Sequence, residues 1–147
     1  MTFRLRIATE ADVADLIPRS AALQRHENIE ISDAELERAL REFLADPTLG
    51  CVFMIEDDSI VVGYAFLSYS YDLEFAGREA WLTEIFIDES ARGRGGGTHV
   101  LDLLGPELRA RGVRAVHLQV RADNPAKHLY DRAGFTVVPR LIMSKRL

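Results

Sequence analysis

The sequence predicts one mixed α/β domain over residues 1–147, a partly antiparallel sheet with helices against it. Three observations predict it. Runs alternating apolar and polar residues change places with runs of helical spacing, in the order β-α-α-β-β-β-α-β-α-β, which builds one layered α/β or α+β core. The stretches "CVFMIE" (51–56) and "IVVGYAFLSYSY" (60–71) are joined by the turn "DDS", so part of the sheet is an antiparallel hairpin. A glycine-rich junction, "ARGRGGGTHVL" (91–101), lies between an apolar run and a helical one.

Each element has its own signal. "FRLRIA" (3–8) alternates apolar and basic residues and reads as an edge-type strand. Thr9 and Asp12 form a near-capping box for a helix carrying Val13, Leu16, Ile17 and Leu23 on one face, with Pro18 a kink or break. "RHENIEI" (25–31) is a polar link. Ser32 and Glu35 make a capping box ahead of Leu36, Leu40, Phe43 and Leu44 at helical spacing. After the hairpin, "DLEFAGRE" (72–79) is a loop and "AWLTEIFI" (80–87) a strand. A helix over 98–111 buries Leu101, Leu104 and Leu108. Gly112 turns the chain into the strand "RAVHLQV" (114–120). The helix "NPAKHLYDRA" (124–133) is closed by Gly134, and 135–147 is extended, broken by Pro139. No repeat, low-complexity segment or interdomain linker interrupts the series.

Composition excludes several functions. Hydrophobic content of 48% with 28% charged residues places the chain among soluble globular domains. A net charge of −5 argues against generic nucleic-acid binding, which needs a basic surface. The single cysteine, Cys51, leaves no disulfide framework or multi-cysteine zinc site, and fits a reducing cytoplasm. His26, His99, His117 and His128 lack metal-ligand spacing. The N-terminus is polar at Thr2, Arg4 and Arg6, so no signal peptide is expected, and no apolar run approaches membrane-spanning length.

The glycine junction has the strongest chemistry. The phosphate loop G-x-x-x-x-G-K-[ST] fails because the chain has no Gly-Lys pair. The dinucleotide pattern G-x-G-x-x-G fails because Thr98 occupies the third glycine position after Gly93 and Gly95. The pattern [R/Q]-x-x-G-x-[G/A] fits Arg92-Gly93-Arg94-Gly95-Gly96-Gly97. Glycines let backbone approach a phosphate, and the first amides of a helix lack intrahelical partners. A flexible turn with solvated arginines is the plain alternative. Further on, "NPAKHLYDRAGF" (124–135) fits N-x-x-A-x-x-x-Y-x-x-x-G-F.

With these segments together the chain resembles the GNAT superfamily of N-acetyltransferases. The resemblance rests on "WLTEIFI", "RGRGGG" and "NPAKHLYDRAGF" in that order and spacing, and "RLRIATEADVADL" is similar to the superfamily's opening. It implies a splayed, mostly antiparallel mixed sheet with helices on both faces. It implies acetyl-CoA as cosubstrate, no metal, a homodimer, and a cleft where strands 80–87 and 114–120 diverge. Arg92, Gly93, Arg94, Gly95, Gly96, Gly97 and Thr98 would cradle the pyrophosphate. The backbone of Ile85, Phe86 and Ile87 would pair with the pantetheine arm, with Asn124 and Lys127 also on the cofactor side. Tyr130 matches the tyrosine that protonates the leaving thiolate; packing is its alternative, as helix capping is for Asn124.

The expected reaction is direct attack of an amine on the thioester through a tetrahedral intermediate. An alkylamine arrives protonated, so a base must act first. Glu84, an acid amid apolar strand residues, is the expected base, and His117 is the reserve. Strand alternation puts Leu82, Glu84 and Phe86 on one face, with Thr83 and Ile85 on the other. Glu27, Asp72, Glu74 and Glu84 would form a cation-attracting cleft, with Glu27 and Glu84 touching the acceptor, as in diamine-type and related small-amine enzymes. A protein N-terminus or lysine as acceptor, and a non-catalytic CoA-binding module, are the competing readings.

Overall fold

The computed structural model describes residues 2–147. Five strands form one sheet in sequence order: β1 (Phe3–Ile7), β2 (Gly50–Asp57), β3 (Ile60–Asp72), β4 (Gly77–Ile87) and β5 (Val113–His117). The first three pairings are antiparallel and β4–β5 is parallel. The hairpin of β2 and β3 is therefore where its alternation and its Asp57–Ile60 turn place it. Helices α1 (Val13–His26) and α2 (Asp33–Ala45) cover one face, and α3 (Gly96–Ala110) covers the other.

Strand β2, inside the sheet, is buried on both faces. Val52 and Met54 point to α1 and α2, while Phe53 and Ile55 join Leu104 and Leu108 beneath α3. Both helices on the first face start at capping boxes. Ser32 accepts from the Glu35 amide at 3.2 Å, and Thr9 and Asp12 bracket a 3-10 turn (Glu10–Asp12) before α1. Pro18 neither breaks nor ends α1. It removes one backbone donor, but burial of Leu16, Ser20 and Ala21 on either side holds the helix. Arg6 on β1 bonds both Asp12 and Glu56, at 2.8 Å each, clamping β1, the turn and β2 together. The guanidinium holds both carboxyls below their usual range.

The C-terminal third differs from expectation. The strand expected over 114–120 stops at His117, before the turn-forming residues Asp123, Asn124 and Pro125. The helix expected over 124–133 is α4 (Lys127–Arg132), because Asn124 and Pro125 form a turn ahead of it. The extended segment 135–147 joins no ladder among the described residues. Pro139 lacks the amide a ladder needs, and the short β5 offers little edge to pair with. Val137, Leu141, Ile142 and Met143 are consequently exposed. Among the described residues no helix is long and apolar enough to cross a membrane.

Candidate active site

The site begins where the sheet comes apart. Strand β4 pairs with β5 only from Arg78 to Trp81, ending at Trp81 opposite His117. Beyond that point β4 runs on to Ile87, still paired with β3 along its other edge. The segment Leu82–Ile87 thus has an open edge toward the diverging chain. The Asp88 amide donates to Val62 O at 2.7 Å. Antiparallel ladders alternate, so the amide and carbonyl of Phe86 face β3, whereas those of Ile85 and Ile87 face the open edge. Of the three residues expected to offer backbone to a ligand, Ile85 and Ile87 turn their peptide groups to this open edge and Phe86 does not. Ile87 O already accepts from Arg92 Nε at 2.6 Å.

The glycine junction follows β4 through a 3-10 turn (Glu89–Ala91) and starts α3. Its glycines divide into two pairs. Gly93 and Gly95 are left-handed, at φ 76° and 73°, and a Cβ on either would meet open space. A Cβ on Gly96 would collide with the Phe3 ring, and one on Gly97 would lie 3.0 Å from Leu129. Two glycines thus seat the loop on β1 and α4, and two turn bare backbone outward. Gly95 is the N-cap and no side chain caps the helix. The amides of Gly96, Gly97 and Thr98 open the helix and have no intrahelical acceptor. The arginines are partly engaged. Arg92 lies over the Phe86 ring, and Arg94 pairs with Asp57 at 3.6 Å.

Glu84 sits on the α1/α2 face of β4. Ser20 Oγ and Tyr64 Oη donate to its Oε1 at 2.8 and 2.6 Å, and Gln24 Nε2 donates to Oε2 at 2.9 Å. Burial, reinforced by the Glu84 charge, drives the Tyr64 phenol far above its ordinary pKa, so it stays a donor. The expected face sharing fails. Leu82 packs on the α3 side with Ile85, whereas Phe86 packs on the α1/α2 side. A β-bulge is the reason. The register jumps from Leu67–Leu82 to Phe66–Glu84, leaving Thr83 as the extra residue and reversing the alternation.

A second polar chain lies at the fork. Glu79 Oε1 meets His117 Nε2 at 2.5 Å, and Ser70 Oγ donates to Glu79 Oε2 at 3.0 Å. Glu79 is only 6% exposed. The His117 ring lies 5.0 Å from Trp81 and 5.3 Å from Phe75, between centroids. Sequence reading missed Glu79, because its partner is brought to it only by the β4–β5 register. Its one signal was an acid inside the β4 apolar run.

Tyr130 lies on α4, with its ring edge-on to Phe135 at 5.9 Å. Burial pushes its phenol up, so the hydroxyl keeps its proton at neutral pH. Asn124 Oδ1 accepts from the Ala126 amide at 2.9 Å, and Lys127 pairs with Asp131 at 2.9 Å. Both therefore have local structural work at the start of α4. The four acids expected in one cleft come from the end of α1, the turn after β3, and β4. Glu27 is exposed at the end of α1, Asp72 caps a turn through the Glu74 amide, and Glu74 pairs with Arg140 at 3.0 Å. Between α1 and α2 lies an open cavity of about 440 Å³, walled by Gln24, Ile29, Ile31 and the acids Glu30 and Glu35. Those two acids escaped sequence reading, and Glu35 also looked like a cap residue only.

Residues 18–135 match the acetyltransferase (GNAT) family. Comparison with curated proteins gives no match. Among solved structures, an integron cassette protein from the mobile metagenome of Cole Harbour Salt Marsh is 25% identical. It superposes with a TM-score of 0.85, over 97% of this chain and 90% of that one. A protein from Clostridium acetobutylicum described as a predicted acetyltransferase, crystallised with acetyl-CoA, is 21% identical. Its TM-score is 0.79, over 98% and 96% of the two chains. The aminoglycoside N-acetyltransferase AAC(6')-Iy, solved with CoA, is 17% identical, with a TM-score of 0.81 over 99% and 95%. The last two likenesses are of fold. With the family match spanning β2 to β5, the glycine loop and α4, this chain belongs to the GNAT family of N-acetyltransferases, whose cosubstrate is acetyl-CoA.

Proposed function

We propose that residues 1–147 act as one domain that transfers acetyl from acetyl-CoA to the primary amine of a small cationic molecule. The observation that carries this reading is the fork after Trp81 and His117, which has bare backbone on its α3 side and acids with aromatics on the other. The amides of Gly96, Gly97 and Thr98 hold the diphosphate, approached through the open space beside Gly93 and Gly95. Ile85 and Ile87 offer peptide groups to the pantetheine arm along the open edge of β4. Acetyl-CoA supplies an activated acetyl thioester.

The chain's residues supply the rest. The Tyr130 hydroxyl, kept protonated by burial, gives its proton to the departing sulfur. Glu84 brings negative charge to the acceptor side, but three donors already engage its carboxylate. It therefore serves better as a fixed charge that ties α1 to the sheet than as a mobile proton acceptor. Trp81, Phe75 and His117 give the acceptor an aromatic wall, which favours a cation. The cavity between α1 and α2 is of small-molecule size. Structural neighbours that are aminoglycoside acetyltransferases support a small amine. The exposed apolar run from Val137 to Met143 supports a homodimer in which a second copy covers it.

The test is acetyl-CoA consumption measured against diamines, aminoglycosides, amino acids and peptides. The reading expects turnover with small cationic amines. Turnover with peptides alone would move the acceptor to a protein, and acetyl-CoA binding without turnover on any amine would leave a binding module.

A further inference from the structure

We infer that His117, held by Glu79, which Ser70 in turn fixes, takes the proton from the acceptor amine. The inference rests on the acetyl-transfer reading above, and assigns the base within that site. Three observations converge on it. His117 stands at the last rung before β4 and β5 diverge, opposite Trp81 and two rungs beyond Glu79, so it borders the fork itself. Glu79 is almost fully buried and spends both oxygens on this chain, Oε2 on Ser70 and Oε1 on His117. His117 keeps 22% of its side chain exposed, so the ring remains reachable from the cleft.

The chemistry follows from which nitrogen is occupied. A carboxylate accepts hydrogen bonds and does not donate, so Nε2 carries its hydrogen toward Glu79. Nδ1 is left with a free lone pair. The ammonium of the acceptor gives one proton to Nδ1, and its nitrogen lone pair becomes free to bond to the acetyl carbon. The carbon–sulfur bond breaks, the sulfur takes its proton from Tyr130, and the second proton shed by the acylated nitrogen returns to the Tyr130 oxygen, leaving a neutral amide and a free thiol. The imidazolium formed at His117 is held against the Glu79 carboxylate, which offsets the new charge. Glu79 is a positioning residue here, since it sets the tautomer and ring orientation without meeting substrate. Glu84 has no equivalent freedom, because all its near donors come from Ser20, Gln24 and Tyr64.

The decisive experiment has two arms. In the first, nitrogen-15 imidazole spectra of the ligand-free protein, at a pH where the ring is neutral, identify the His117 tautomer. The expected state is Nε2–H in the wild type, with that preference lost in Glu79→Gln. In the second, kcat and KM are measured for the amine turned over fastest in the screen above. His117→Ala is expected to lose about 10²-fold in kcat with the acetyl-CoA KM unchanged, and to recover part of it when free imidazole is added. Should His117→Ala not fold, His117→Gln replaces it, and the wild-type tautomer still decides the geometry. An Nδ1–H tautomer in the wild type, or full turnover in His117→Ala, overturns the assignment. A wild-type protein that acetylates no amine overturns the transfer reading instead.

Discussion

The two ends of the sheet are built by opposite rules. From β1 to the β3-facing edge of β4 the strands are paired along their length, and the polar groups are bound to one another. Arg6 joins Asp12 and Glu56, Arg19 joins Asp88, and Glu84 takes donors from α1 and β3. From the outer edge of β4 onward pairing is brief: β5 joins it only as far as Trp81, and the chain then leaves the sheet, with a short helix and exposed apolar residues. The first region stores stability, and the second gives up pairing to make a cleft. A ligand that needs backbone contacts finds them only where the protein has not used its own. Damage should therefore separate cleanly: changes in the second region cost function, and changes in the first cost stability.

The largest effect expected is on turnover. Tyr130→Phe keeps the ring and its contact with Phe135 but removes the hydroxyl. Steady-state kinetics should show kcat lower by about 10²-fold, equivalent to about 2.7 kcal/mol, with melting temperature nearly unchanged. A large fall in melting temperature with intact turnover would reverse the comparison.

Arg6→Met tests the other region. It leaves the almost buried Glu56 carboxylate, with its 6% side-chain exposure, short of one partner. Arg6 is itself 39% exposed, so denaturant unfolding should show a loss of about 2 kcal/mol, below the range for fully buried pairs. The pH dependence has a defined sign. Arg6 lowers the folded pKa of Asp12 and Glu56, so their stabilisation is present above the unfolded carboxylate range and is lost as pH falls through the folded values. The variant should unfold less steeply with acid than the wild type.

Gly95→Val sharpens the comparison at the border. A branched residue at φ 73° costs about 1–2 kcal/mol of backbone strain. Calorimetry should show that modest destabilisation together with loss of the acetyl-CoA-induced rise in melting temperature. The smallest effect belongs to Arg41→Ala. Its exposed pair with Glu37, at 2.9 Å, is worth about 0.3–0.5 kcal/mol, and neither activity nor ligand binding should change.

Local signals were legible and long-range ones were not. The Ser32–Glu35 box and the β2–β3 hairpin depend on neighbours in sequence, and both stand where their residues put them. The glycine loop was legible as backbone made bare, though not the split in which Gly96 and Gly97 serve packing against Phe3 and Leu129. The bulge at Thr83 could not be read, because alternation in one strand carries no record of its partner's register. That single extra residue separated Glu84 from Leu82. The Glu79–His117 pair was hidden for the same reason, since a parallel pairing across a whole helix brings it together. The length of β5 failed as an expectation because turn formers after it outweigh its own β-forming residues.

Amide hydrogen exchange of β4, with and without acetyl-CoA, tests most directly the claim that the cleft is the open edge of this strand. Phe86 is bonded to β3 in either state and should exchange slowly throughout. The amides of Ile85 and Ile87 face the open edge and should exchange faster in the free protein, then slow markedly when acetyl-CoA is added and remain unchanged with NAD. Acetyl-CoA protection confined to the Ile29–Ile31 cavity, with Ile85 and Ile87 unaffected, would contradict the account.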